Sequence, residues 1–172
     1  MRYYEALGID TKLVLDAEEL KQRFYGLSRQ WHPDRFARSG EAEKRKALDM
    51  TSLLNDAFRT LKDPITRAEY LLEENGMGPA KSAPPELLEE VFELNMALDE
   101  LRDGDESARG QLTDARARFF GMRGEIDQDL AAMFANYDSA PSQDTLSQIR
   151  ATLDRRRYIS NLVRDVDKEL NK

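Results

Sequence analysis

The N-terminal half of the chain is organised around one short stretch, Gln30-Trp31-His32-Pro33-Asp34-Arg35-Phe36. Pro33 has no backbone N–H with which to continue a helix, and its ring disfavours helical dihedrals at His32. A helix that enters this stretch must therefore end near Trp31. Residues 32–40 are predicted to form a loop.

An amphipathic helix is predicted on each side of this loop. Before it, Asp16 and Glu19 have the spacing of a capping box, and apolar residues then recur at helical intervals at Leu20, Phe24, Leu27 and Trp31. After it, a helix that begins at Glu41 and stops before Pro64 carries one apolar face of Ala47, Met50, Leu54, Ala57, Phe58 and Leu61. Trp31 and Phe58 are assigned to the core, because large aromatic side chains on such faces are usually buried.

Two short helices complete this half. The first contains Tyr3, Tyr4 and Leu7 and ends at Gly8. The second begins at Pro64, which is well suited to the first position of a helix, and ends at Gly76.

The helix before the loop also carries a basic strip. Lys21 and Arg29 lie two turns apart with Tyr25 between them, and the loop adds Arg35 and Arg38. A basic strip alone is typical of a solvated helix face. The His32-Pro33-Asp34 sequence alone could be an ordinary turn, because Pro and Asp are common turn residues. This strip is of functional interest because it leads to His32.

The second half follows a break in composition. Residues 75–85 read NGMGPAKSAPP and contain two glycines and three prolines, which predicts a linker. Beyond it, three helical patterns are separated by short polar turns, so the segment is predicted to be a three-helix bundle. The chain is therefore predicted to be all-α, with an N-terminal domain at 1–75, a linker at 76–85 and a bundle at 86–172.

The first bundle helix has more apolar residues than a core-facing stripe needs. Leu88, Phe92 and Met96 follow one another at i, i+4 and i+8 beside the predicted core face. They could simply flank the core, but an aromatic ring and a thioether are typical of surfaces that accept a partner. The carboxylates of Glu89, Glu93 and Glu100 border this stripe. In the last helix, Tyr158 and Leu162 are predicted to lie off the core-facing period.

Composition excludes several classes of function. The 172 residues include no cysteine and one histidine, which argues against disulfides, thiolate metal sites and most metalloenzymes. The formal charge of -7 disfavours nucleic-acid and anionic-membrane partners, and residues 77–172 hold 13 basic and 19 acidic side chains. No apolar run is long enough to span a bilayer and no signal peptide is recognised at the N-terminus, so a cytoplasmic protein is expected. We also expect no cofactor, no metal site and no catalytic residue.

Residues 1–75 resemble the J-domain, the co-chaperone module of the seventy-kilodalton heat-shock ATPases. The resemblance rests on the Tyr-Tyr start, on His32-Pro33-Asp34 between two helices, and on the run Leu54-Asn55-Asp56-Ala57-Phe58-Arg59-Thr60-Leu61. It implies that the helical hairpin docks on the chaperone and stimulates ATP hydrolysis there. The implied chaperone-binding residues are Lys21, Tyr25, Arg29, His32, Pro33, Asp34 and Arg35.

The whole chain resembles the HscB family of iron–sulfur cluster co-chaperones, through the run Pro64-Ile65-Thr66-Arg67-Ala68-Glu69-Tyr70-Leu71-Leu72 followed by the acidic bundle. The resemblance implies an ATPase partner of the HscA/DnaK type and an iron–sulfur scaffold protein of the IscU type that is held by the bundle. The implied scaffold-binding residues are Leu88, Phe92, Glu93, Met96, Glu100 and Tyr158. The zinc-binding extension of mitochondrial relatives is not found, so a bacterial form is expected.

Two other functions remain open from the residues alone. The bundle could bind a different client, or it could use the Leu88/Phe92/Met96 stripe for self-association as a weak homodimer. The chain could also be an enzyme with His32 as general base and Asp34 as its partner. That alternative needs a nucleophile or metal and a cleft, and a loop between two exposed helix ends offers neither.

Overall fold

The computed structural model describes residues 2–172 as an all-helical chain. In these residues there is no β-strand, which confirms the predicted fold class, and no helix is both long and apolar enough to cross a membrane. The α-helices are α1 (Arg2–Leu7), α2 (Ala17–Gln30), α3 (Glu41–Leu61), α4 (Pro64–Glu74), α5 (Leu88–Arg102), α6 (Ala108–Ser139) and α7 (Gln143–Leu170). Two 3-10 turns add Pro33–Phe36 and Pro85–Leu87.

Local caps explain where these helices begin. The carboxylate of Asp16 accepts the Glu19 N–H at 2.8 Å at the start of α2. Asp63 caps α4 in the same way, with Pro64 at the first helical position. The Ser142 hydroxyl accepts the Thr145 N–H at 3.1 Å at the start of α7.

The chain divides into two compact units. The first extends to Met77 and includes the short segment Tyr137–Ala140, and the second contains Gly78–Asn136 and Pro141–Lys172. Two pairs of rings pack beside the core of the first unit: Phe24 stacks on Phe58 at 4.3 Å and Tyr3 on Tyr70 at 4.6 Å between centroids. The buried residues of this core are Tyr4, Leu7, Leu20, Leu54, Ala57 and Leu61, while Trp31 and Phe58 lie half-buried against them.

A buried arginine organises the polar interior of the first unit. Arg67 of α4 is 5% exposed and donates to the carbonyl oxygens of Leu13 at 2.9 Å and Leu61 at 2.7 Å. Burial lowers the pKa of its guanidinium, and nearby acidic groups, Tyr4 first, act in the opposite direction. Arg67 therefore donates to one carbonyl at the C-terminus of α3, that of Leu61, and to one in the segment between α1 and α2, that of Leu13.

The segment between α1 and α2 is held by two more side chains. The Tyr4 hydroxyl donates to the Lys12 carbonyl at 2.7 Å, and burial raises the pKa of this phenol. Asp138 accepts the backbone N–H groups of Leu13 and Val14, both at 2.8 Å. These bonds explain why residues 137–140 group with the first unit, which the sequence alone did not predict.

The second unit is built from long helices. Arg116 of α6 pairs with Asp167 of α7, and Arg156 of α7 pairs with Asp127 of α6, so the two helices run antiparallel. The core-facing residues include Leu94, Ala97, Leu98, Leu101, Leu112, Phe119, Ile126, Leu130, Phe134, Leu146, Ile149, Leu153, Ile159, Val163 and Val166. The prediction that Leu162 lies off the core was wrong, since it is 7% exposed. Leu162 widens the buried face of α7, because its neighbours Ile159, Val163 and Val166 are buried in the same core.

Candidate functional site

The loop that contains His32 folds as a capped 3-10 turn. His32 is its N-cap: the Nδ1 atom accepts the Asp34 N–H at 3.3 Å, and the His32 carbonyl accepts the Arg35 N–H at 3.0 Å. Because Nδ1 is the acceptor, a neutral imidazole ring carries its proton on Nε2, which is then a free donor. Pro33 fixes the first position of the turn.

The two polar side chains of this turn face solvent. The Asp34 side chain is 92% exposed and that of His32 is 58% exposed, with 3.7 Å between Nδ1 of His32 and Oδ2 of Asp34. Because Nδ1 accepts the Asp34 N–H and has no proton to give the carboxylate, the exposed Asp34 side chain can accept two hydrogen bonds from an arginine of a partner protein. The turn therefore presents an acceptor and a donor side by side in a fixed backbone geometry.

A shallow groove beside the turn brings several of the implied chaperone-binding residues together. Its volume is about 290 Å³, and it is lined by Tyr25, Ser28, Arg29, His32 and Arg35. Lys21 is exposed one turn before Tyr25 on α2, and Pro33 is half-buried within the turn. Ser28 is a groove residue that could not be predicted from the sequence, because its small side chain is uncharged.

The turn is attached to the rest of the first unit by aromatic packing. The rings of Trp31 and Phe36 stack with 5.9 Å between centroids and 8° between planes. From α3, the Lys46 ammonium lies 5.5 Å from the Trp31 ring centroid, and the Thr51 hydroxyl contacts the Trp31 carbonyl at 3.2 Å. The contacts of Lys46 and Thr51 could not be predicted from the sequence, because they join residues on separate elements.

The second unit leaves the extra apolar stripe of α5 accessible. Leu88 is 54% exposed, Phe92 is 66% exposed and Met96 is 50% exposed, while Leu94 and Leu98 of the same helix are buried. We call Leu88, Phe92 and Met96 the α5 ridge. Since large apolar side chains on the surface of a bundle mark sites of interaction when they are contiguous, the α5 ridge is a candidate docking surface.

The other three implied scaffold-binding residues, Glu93, Glu100 and Tyr158, differ in their positions. Glu93 and Glu100 are exposed on α5. Glu93 also lines a second groove of about 210 Å³ with Asp114 and Arg118 of α6. Tyr158 lies on α7 and is half-buried, so only part of its ring can reach a partner.

Another exposed aromatic residue of the bundle is covered by cations. Phe120 of α6 is 37% exposed, and the guanidinium carbons of Arg116 and Arg123 lie 4.8 and 4.7 Å from its ring centroid. Two cation–π contacts account for its position on the surface without a partner. Phe120 is therefore not part of the α5 ridge.

Comparison with known proteins connects both units to one family. A model described as the DnaJ domain matches residues 2–70, and a model described as the HSCB C-terminal oligomerisation domain matches residues 83–167. The chain is similar to the solved structure of chaperone HscB from Vibrio cholerae, with a TM-score of 0.67 and 27% identity over 98% of this chain and 96% of that one.

The crystal structure of the human co-chaperone protein HscB has the same fold. The TM-score is 0.71 at 24% identity, over 98% of this chain and 82% of the human one. The two family models lie in the order of the two structural units and together account for most of the sequence. This chain therefore belongs to the HscB family of J-domain co-chaperones.

Proposed function

We propose that this chain docks on an ATPase of the seventy-kilodalton heat-shock type, of the HscA/DnaK class, through the His32–Pro33–Asp34 turn and the groove beside it. A J-domain co-chaperone role in iron–sulfur cluster biogenesis is what the family supports. The observation that carries the proposal is the capped, exposed turn next to a groove that holds Arg29 and Arg35.

The chemistry of the turn suits recognition by a partner with both acidic and basic groups. Asp34 is the acceptor for a partner arginine, the His32 ring supplies a donor, and Arg29 and Arg35 attract carboxylates. Because the turn is already hydrogen-bonded in the free chain, little conformational entropy is lost when it docks. In this proposal His32 orients a contact and transfers no proton.

We propose that the α5 ridge holds the client, an iron–sulfur scaffold protein of the IscU type. The exposed side chains of Leu88, Phe92 and Met96 supply the apolar centre of the interface, and Glu93 and Glu100 supply an acidic rim. We include the half-buried Tyr158 of α7 in the proposed interface as a second aromatic contact. A complementary scaffold surface would be apolar with basic groups at its border.

Carrying both surfaces on one polypeptide gives the mechanism. A scaffold bound to the bundle is kept near the chaperone at a raised effective concentration while the turn stimulates ATP hydrolysis. The partner hydrolyses the nucleotide, and this chain contributes binding energy. We place these events in the bacterial cytoplasm, with no nucleic acid, membrane, cofactor or metal involved.

Measurement of chaperone ATPase stimulation tests the first part of the proposal. His32→Gln keeps a polar side chain but alters the N-cap and the ring donor, so stimulation should be lost while scaffold affinity is unchanged. Loss of both activities together would show that His32 is a structural residue, and the proposal would fail. Substrate turnover by the purified chain alone would contradict the assignment of a purely adaptor role.

Scaffold binding by calorimetry tests the second part. Replacing Leu88, Phe92 and Met96 together with alanine should abolish binding and leave ATPase stimulation intact. Phe120→Ala is the matched control, because it removes an exposed ring from the same bundle outside the α5 ridge. Equal loss with the control, or unfolding of the triple variant in circular dichroism, would contradict the docking role.

Self-association through the α5 ridge is a second candidate use of the bundle. It is favoured by the description of the matching family model as an oligomerisation domain and by the exposure of three large apolar residues on one helix. Sedimentation equilibrium of the full chain distinguishes the two uses. A dimer that the triple alanine variant abolishes would support self-association, and a monomer at all concentrations would exclude it.

A further inference from the structure

The His32–Pro33–Asp34 turn is closed at its base by a pair of aromatic rings. Trp31 immediately precedes His32, and Phe36 is the last residue of the 3-10 turn, so their stacking joins the two ends of the turn. The Trp31 N–H also donates to the Leu27 carbonyl at 2.9 Å, which continues the hydrogen bonding of α2. The position of the turn therefore depends on where the Trp31 ring and backbone are held.

Two residues of α3 hold Trp31 from the other side. The Lys46 ammonium lies 5.5 Å from the Trp31 centroid, within the range of a cation–π contact. The Thr51 hydroxyl lies 3.2 Å from the Trp31 carbonyl and 2.8 Å from the Ala47 carbonyl of its own helix. A hydroxyl has one proton, so these two acceptors share it.

Lys46 is free for this role. Among residues 2–172 it forms no ion pair, whereas its neighbour Lys44 is paired with Glu41 at 3.2 Å. Lys46 also lies outside the groove formed by Tyr25, Arg29 and Arg35.

We infer that Lys46 and Thr51 are positioning residues, which fix the docking geometry of the His32–Pro33–Asp34 turn by holding Trp31. The inference rests on the proposed function, because it assigns these residues a part in chaperone stimulation. A turn that moves before docking must lose conformational entropy on binding, and a turn that is already held does not. Removing either contact should therefore lower the affinity for the chaperone and leave the maximal stimulation of ATP hydrolysis unchanged.

Lys46→Ala in the full chain tests the first contact. Loss of a cation–π contact at an exposed site should raise the co-chaperone concentration that gives half-maximal ATPase stimulation about twofold to fivefold. Trp31 is the sole tryptophan of the chain, so its fluorescence and its quenching by acrylamide report on the same contact in the free protein. Quenching should increase in Lys46→Ala, and Lys46→Arg should restore both measurements.

Arg45→Ala is the matched control, because Arg45 is an exposed cation next to Lys46 with no described contact to Trp31. It should change neither measurement. If Lys46→Ala weakens stimulation but leaves Trp31 quenching unchanged, Lys46 contacts the chaperone directly and the positioning role is overturned. If neither measurement changes, the inference is also overturned.

Thr51→Val tests the second contact with a side chain of nearly the same shape. It should raise the half-maximal concentration without changing the maximal rate, and Thr51→Ser should restore the wild-type value. A loss that Thr51→Ser does not restore would show that the methyl packing of Thr51 matters and its hydroxyl does not. Absence of stimulation by the wild-type chain would instead overturn the proposed function, so the two failures are distinguishable.

Discussion

The His32–Pro33–Asp34 turn and the α5 ridge are both exposed, yet they are built in opposite ways. In the turn, backbone hydrogen bonds and a ring pair hold polar groups in one arrangement. The α5 ridge is a row of flexible apolar side chains on an ordinary helix, with half or more of each side chain exposed. One surface is specified by geometry and the other by apolar area.

This difference indicates how each surface responds to change. A geometric site depends on a few atoms, so one substitution can remove its activity without altering the fold. An apolar surface gains free energy in proportion to the area that it buries, so single substitutions should have graded effects. It also tolerates variation in its partner, because Met96 and Leu88 can adapt their shape.

The largest effect is expected at the turn. Asp34→Asn keeps the size of the side chain but removes the charge that a partner arginine would contact. Loss of one member of a buried charged pair at an interface costs about 2 to 5 kcal/mol, so half-maximal stimulation should require at least about thirtyfold more protein. A change of less than threefold in an ATPase titration would show that Asp34 is not in the interface.

A second variant tests whether the turn depends on support from within its own unit. Arg67→Met fills a similar volume but leaves the Leu13 and Leu61 carbonyls without their donor. The free energy of unfolding should fall by about 2 to 3 kcal/mol, which urea denaturation can measure. Stimulation should be lost on mild heating before scaffold binding is lost. Simultaneous loss of the two activities would contradict the separation of the two surfaces.

Single substitutions in the α5 ridge should have graded effects on scaffold affinity. Phe92→Ala removes its most exposed side chain and should cost about 2 kcal/mol of scaffold affinity, while Leu88→Ala or Met96→Ala should each cost less. Calorimetric titration of the three single variants measures this order. Complete loss of binding from Leu88→Ala alone would show that the α5 ridge depends on geometry as the turn does.

The smallest effect concerns two glycines of α6. Gly121 and Gly124 lie within α6, and a Cβ added at either position meets nothing within 4 Å. Alanine at each position should therefore stabilise the chain by about 0.5 to 1 kcal/mol, because it reduces the entropy of the unfolded state. Thermal unfolding measures the gain, and scaffold affinity should stay constant. A loss of affinity would place this part of α6 in the interface.

Local signals in the sequence were sufficient to predict the helices and the type of fold. Asp16, Pro64 and Gly8 act on backbone groups within a few residues of themselves, so their effects can be inferred from spacing. The exposure of the α5 ridge could be suspected from an apolar stripe wider than the core requires. The binding roles of the α5 ridge, of Glu93, Glu100 and Tyr158, and of the implied chaperone-binding residues all stay predictions.

Contacts between distant residues could not be inferred in this way. The bonds of Arg67 to Leu13 and of Asp138 to Val14 join positions that no periodicity relates. The attachment of Trp31 to Lys46 and Thr51 likewise depends on how α2 and α3 pack. Leu162 was assigned to the surface because its spacing was measured against one core stripe, whereas the packed helix buries a wider face.

The cation–π contacts of Arg116 and Arg123 with Phe120 leave less of this ring available for contact with another copy of the chain. Among the bundle residues that the structure describes, the α5 ridge is then the remaining exposed surface of large apolar side chains. A molecule with one exposed apolar surface can bind no further copies once that surface is covered. Exposed apolar surfaces on two helices would allow open-ended polymerisation. The two arginines on α6 thus favour limited association of copies of this chain over open-ended polymers.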